Sequence, residues 1–159
     1  MRARTDGLTE DERKILDDVE QHGLHIVTVP EDEEGPGFAF SVGLWENFEH
    51  PEVILFGLPP DVAIDLLNGL ADEVDDGKQF VDGTKHDGLL ANYPVRFVAV
   101  PREQYRDFLG IARWAYESDD FPAVQLVWPD KQGRWPWDAG VREAFREIQP
   151  VLGRKDATA

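Results

Sequence analysis

Across residues 37–58 the chain reads GFAFSVGLWENFEHPEVILFGL, two apolar runs on either side of a polar turn. Phe38, Phe40, Val42 and Leu44 alternate with small residues, which predicts a strand. Val53, Ile54, Leu55 and Phe56 then follow one another without a charge, which predicts a second strand buried on both faces. Between them Trp45, Glu46, Asn47, Phe48, Glu49 and His50, closed by Pro51, predict a loop. Loops that carry rings and carboxylates on a rigid strand pair are where binding sites gather.

The flanking pattern supplies the other elements. Thr9 with Glu12 three residues later forms a capping box, and Ile15, Leu16 and Val19 give the apolar stripe of a helix that stops at His22-Gly23. Residues 24–29, LHIVTV, predict a strand, and residues 30–36 an exposed acidic connection. After Pro59-Pro60-Asp61, the recurrence of Val62, Leu66, Leu70 and Val74 at four-residue spacing, with Ala63, Leu67 and Ala71 beside them, predicts the clearest helix of the chain, ended by Gly77. Residues 79–81 predict a short strand, 82–88 a polar loop and 95–100 a strand. Pro101 leads into a helix whose aromatic face, Tyr105 to Tyr116, is interrupted by Gly110. Residues 123–128 predict a last strand, 129–133 a turn and 141–148 a short helix.

The order β, β, β, α, β, β, α, β predicts a single α+β domain over residues 1–153 with a frayed tail over 154–159. Its expected architecture is a largely antiparallel sheet of five to seven strands with three to four packed helices. A partly closed β-barrel with helices is the alternative.

Composition narrows the class. At 159 residues the chain suits one domain, and no apolar run is long enough to span a bilayer. The absence of cysteine excludes disulfides, thiolate metal sites and cysteine nucleophiles. With no apolar stretch behind the first arginines to make a secretory signal, a cytoplasmic protein is expected. The net charge of −16 is uneven: residues 1–80 hold 20 acidic and 5 basic residues, residues 81–159 hold 12 and 11. Such a surface repels phosphate backbones, so nucleic acid is not an expected partner, and without a spanning apolar run neither is a membrane. Solubility accounts for the charge, and a basic partner for the acidic half is the sharper reading.

Candidate chemistry is sparse. Ala39-Phe40-Ser41-Val42-Gly43 approaches the nucleophile elbow G-x-S-x-G, but a loop and not a helix is expected to follow, so Ser41 reads as a strand residue with a hydroxyl open to a ligand. The histidines, His22, His25, His50 and His86, lack ligand spacing, and no metal site is expected. His50, between Glu49 and Pro51, is the candidate acid/base or ligand contact. The segment WPDKQGRWPW, residues 128–137, concentrates three of the five tryptophans. Trp128, Trp135 and Trp137, with Asp130 and Arg134, suit an aromatic-walled pocket, a protein-binding patch or a lid over the core. Arg134 either holds a carboxylate or phosphate or pairs with Asp130. No glycine-rich loop has the strand-to-helix context of a phosphate cradle.

GFAFSVGL, then HPE with an apolar FGL, a helix carrying LLNGLA, and QLVWPDKQGRWPW with a downstream QP together resemble a bacterial family, the domain of unknown function 4262, from about Ile15 to Pro150. Tyrosine is frequent in that family where this chain has Phe40, and threonine where it has Ser41. The resemblance implies a small cytoplasmic bacterial domain and carries over no activity, cofactor or catalytic residue. The functional expectation is therefore a binding module in which the turn at 45–50 and the turn at 128–137 flank one aromatic-lined groove for a small molecule or peptide. A flavin-dependent oxidoreductase, if the sheet closes into a barrel, is the alternative, and a hydrolase using Ser41 and His50 is third.

Overall fold

In the computed structural model, which describes residues 7–153, one six-stranded mixed sheet carries helices on both faces. The elements are α1 (Glu10–His22), β1 (His25–Val29), β2 (Phe38–Val42), α2 (Leu44–Phe48), β3 (Glu52–Phe56), α3 (Pro60–Asp75), β4 (Lys85–Leu90), β5 (Tyr93–Ala99), α4 (Tyr105–Phe108), α5 (Gly110–Tyr116), β6 (Ala123–Val127) and α6 (Glu143–Ile148). The strand order is β1-β2-β3-β6-β5-β4. Every pair is antiparallel except β3 with β6, in which Glu52 lies opposite Ala123 and Ile54 opposite Gln125. The sheet is open, with β1 and β4 at its edges. The α+β, largely antiparallel expectation holds; the barrel alternative does not, and the premise of the flavin reading falls with it.

Local chemistry explains the best-predicted elements. Thr9 Oγ1 accepts from the Glu12 amide and the Glu12 carboxylate accepts from the Thr9 amide, so both halves of the capping box form, and Gly23 ends α1 in the left-handed conformation. In α3 Leu66, Leu70 and Val74 of the predicted repeat are buried together with Ala63, Leu67 and Ala71, whereas Val62, its first member, is exposed in the first turn. Each buried leucine contributes roughly 1.5–3 kcal/mol. Those residues pack with Val53, Leu55, Phe80, Val95, Phe97, Val124 and Leu126 to form the core on one face of the sheet. On the other face Phe40, Val42, Ile54 and Phe56 pack with Tyr105, Leu109, Ala112 and Ala115 of the α4–α5 region and with Val19 of α1. The uninterrupted apolar run of β3 thus serves two cores, Val53 and Leu55 one way, Ile54 and Phe56 the other.

Several expectations are corrected. The turn at 45–50 contains a helix, α2, because Gly43 takes φ 116° and turns the chain into it. Residues 79–81 form no strand; Phe80 is a loop side chain buried in the core. The polar stretch expected to be a loop instead forms most of β4, an edge strand whose register shifts between His86 and Leu90. Its polarity reflects its position, since an edge strand has little face to bury. The helix expected from Tyr105 to Tyr116 breaks at Leu109 (φ −117°, ψ 35°) into α4 and α5. The tail at 154–159 lies outside the described residues.

Gly43 marks a tight passage in the fold. A Cβ there would lie 2.9 Å from both the Gly23 carbonyl oxygen and Val19 Cγ1. Gly43→Ala is expected to cost about 1–3 kcal/mol for the left-handed φ alone, and more for the contact with backbone; urea unfolding measures it, and an unchanged midpoint would refute this reading.

Candidate functional site

The centre of the polar chemistry is Glu52, a residue not expected to matter. It opens β3, is fully buried, and its carboxylate accepts five hydrogen bonds: from Ser41 Oγ (2.7 Å), Tyr116 Oη (2.5 Å) and the backbone amides of Gly43 (2.9 Å), Leu44 (3.2 Å) and Trp45 (3.2 Å). Three of these donors are the amides at the start of α2, groups that a helix leaves unpaired and that carry its positive dipole end. Burial pushes the Glu52 carboxyl above its ordinary value, and the bonds from Tyr116, Ser41, Gly43 and Trp45 pull the other way. Burial and the Glu52 charge push the Tyr116 phenol far upward, so it stays a donor to Glu52 while accepting from the Glu46 amide. Ser41 is equally committed, donating to Glu52 and accepting from the Val53 amide.

His50 is buried and both ring nitrogens are engaged. Nε2 accepts from the Phe80 amide (2.9 Å), so the proton sits on Nδ1 and is donated to the Pro51 carbonyl (2.8 Å). Burial lowers its pKa, holding the ring neutral. No hydrogen bond joins Ser41 to His50, and each is saturated by other groups. The pairing required by the hydrolase reading is therefore not formed.

The turn at 128–137 folds against the sheet. Trp135 and Trp137 stack with centroids 5.8 Å apart, the guanidinium of Arg96 lies 5.0 Å from the Trp135 ring, and the two tryptophans bury Val127. Asp130 accepts from the amides of Gln132 and Arg134 and pairs with Arg134 Nε at 3.1 Å, which together hold its carboxyl below the usual value against a burial effect that raises it. Arg134 thus pairs within its own turn. Trp128 donates its indole N–H to the Phe56 carbonyl (2.8 Å), and the buried Gln149 side chain holds the Trp128 backbone at both its amide and its carbonyl.

Trp45, with 37% of its surface exposed, and His50 lie near the start of β3, whereas Trp128 follows the end of β6 and contacts the end of β3. Because β3 and β6 run parallel, these turns occupy opposite ends of the sheet. The shared groove expected between them does not form.

What the far end of the sheet holds is an apolar groove of about 380 Å³. Its walls include Val29, Pro36, Phe38, Leu58, Pro60 and Ile148. Gly57 (φ 83°) lets the chain leave β3 beneath α6, where a Cβ would meet the Ile148 carbonyl oxygen at 2.6 Å and Trp128 Cζ2 at 3.1 Å. After β3 the chain turns to α3 on one face, and after β6 it turns to the tryptophan stack on the other. The groove lies on the β1–β2 side of β3, with Ile148 of α6 closing it from the other side.

The family model described as a domain of unknown function, DUF4262, matches residues 18–142. The chain belongs to the DUF4262 family. No curated protein and no solved structure matches it. The matched span of this DUF4262 chain contains Ser41, Glu52, Tyr116 and the turn at 128–137, while α6 and Gln149 lie beyond it. Glu52 escaped the sequence reading although one signal was available: it is an acid at the head of an otherwise apolar strand, PEVILFGL. The groove residues escaped because prolines and leucines at strand ends read as turn and core.

Two predictions follow from this geometry. Glu52→Gln turns an amide N–H₂ toward N–H and O–H donors and is expected to destabilise by roughly 3–5 kcal/mol, with Tyr116→Phe costing about 1.5–3 kcal/mol; urea unfolding should place them in that order. For His50, whose folded pKa lies below the unfolded value near 6.5, the unfolded chain binds more protons below that pH, so stability should fall from pH 7 to pH 5. His86 shifts in the same direction through burial and nearby Lys78. The slope should become shallower in His50→Gln, and an unaltered slope would place the effect elsewhere.

Proposed function

We propose that this DUF4262 protein is a binding module that takes a small molecule with an apolar body in the groove at the carboxyl end of β3. The observation that carries this reading is the groove itself: about 380 Å³ of largely apolar space between the end of β1, the start of β2 and the chain leaving β3. That volume is within the roughly 300–1,000 Å³ of small-molecule sites. Pro30, Pro36, Pro59 and Pro60 on its rim stiffen the walls, so little ordering entropy is lost on binding. Trp128, anchored to the Phe56 carbonyl, packs against Gly57 behind the groove wall and is the member of the tryptophan-rich turn nearest to it. Ser41 and His50 are spent on holding the opposite end of the sheet together, which supports a binding role over nucleophilic catalysis by that pair.

Ile148, 41% exposed, is the wall residue that tolerates change. Native mass spectrometry of the freshly purified protein, supplemented with a set of apolar fragments, is expected to reveal a bound small molecule. In Ile148→Asp the same ligand should bind at least tenfold more weakly with the melting temperature unchanged. Equal binding in Ile148→Asp, or no bound fragment at all, would overturn the proposal.

A further inference from the structure

A second feature lies along β1, one edge of the sheet. Its outward-facing backbone groups follow from the pairing. The Gly57 amide donates to the Gly37 carbonyl at 3.0 Å, one step beyond the pair Phe38 with Phe56. Backbone bonding alternates in side along an antiparallel strand. Phe38, Phe40 and Val42 therefore bond toward β1, where they lie opposite Val29, Val27 and His25. Ile26 and Thr28 are left with N–H and C=O aimed away from the sheet.

Ile26 and Thr28 line a groove of about 700 Å³ between α1 and α3, with Lys14, Asp18 and His22 on one side and Ile64, Asn68, Asp72 and Asp75 on the other. α3 holds five acidic residues and neither lysine nor arginine. Asp72 and Asp75 are exposed, and among the described residues no ion pair neutralises either. Ile64, 37% exposed, adds an apolar contact on the same wall. An unpaired strand edge offers main-chain hydrogen bonds to an extended segment, and the acids above it select the charge of that segment. A second copy of this chain, with its own net charge of −16, would be repelled.

We propose that β1 accepts an extended, lysine- or arginine-bearing segment of a protein partner as a seventh strand, in a groove that meets the apolar one at Thr28. The affinity comes from the outward groups of Ile26 and Thr28, and the selectivity from Asp72 and Asp75, since Asp18 is already paired with Lys14 and His25.

The test uses a fluorescent octapeptide alternating lysine and valine, with a glutamate–valine peptide as its counterpart, and anisotropy as readout on the whole chain. The lysine peptide should bind saturably and the glutamate peptide should not. Asp72→Asn with Asp75→Asn should weaken binding at least tenfold, as should Thr28→Pro, which removes an outward donor and no ladder bond. Binding should slow amide exchange at Ile26 and Thr28 in the unsubstituted protein, a readout that decides the matter alone if Thr28→Pro does not fold. Ile148→Asp should bind the peptide normally, which separates this site from the apolar groove. No binding, binding with unaltered exchange at Ile26 and Thr28, or a homodimer that Thr28→Pro dissolves would each overturn the proposal.

Discussion

A buried carboxylate with five donors holds this fold together at one end. Glu52 belongs to β3, yet its partners come from β2, the start of α2 and the end of α5, so one side chain ties four elements. Burying a charge costs several kcal/mol, and that cost is met only when the acceptor capacity is filled with good geometry. Here two oxygens receive three amides and two hydroxyls. The helix start supplies the positive dipole end, Tyr116 supplies a phenol kept protonated by the same burial, and Ser41 relays to the Val53 amide. The connection between β2 and β3 is therefore a short helix with one orientation. His50 extends the same logic a few residues on, fastening the Phe80 loop to the sheet through a neutral ring.

This commitment bears on function. Residues that look reactive in isolation, a serine in a near-elbow motif, a histidine beside a carboxylate, a tyrosine, are consumed as structural donors and acceptors. The parallel β3–β6 pair then separates the ends of the sheet into a closed, polar one and an open, apolar one. The glutamate network occupies the first. The second is left with prolines, a positive-φ glycine and exposed apolar surface.

The acidic charge acquires a location as well. Part of it lies where α3 flanks the β1 edge, and an edge strand lined by like charges is protected from pairing with its own kind. The tryptophan pair, stacked beneath Arg96 and packed on Val127, closes a third cluster on the α5 side of the sheet. The aromatic content of the sequence thus goes largely into packing, with Trp128 held by Phe56, Phe145 and Gln149.

Elements stabilised by their own neighbours in sequence were legible: the capping box of α1, the four-residue repeat of α3, the apolar runs of β2 and β3, and the family resemblance carried by its motifs. In each, the deciding interactions span a few residues, so periodicity records them. What only the tertiary structure decided depends on contacts far apart in the chain. β4 is a strand because β5 pairs with it, although its own residues are polar. Tyr116 reaches Glu52 across 64 positions, and Gln149 reaches Trp128 across 21, separations over which no local pattern is imposed. The two turns predicted to share a groove were assigned to opposite ends of the sheet by the direction of one strand pair, and strand direction is set by how crossovers pack, not by the residues of the strands themselves.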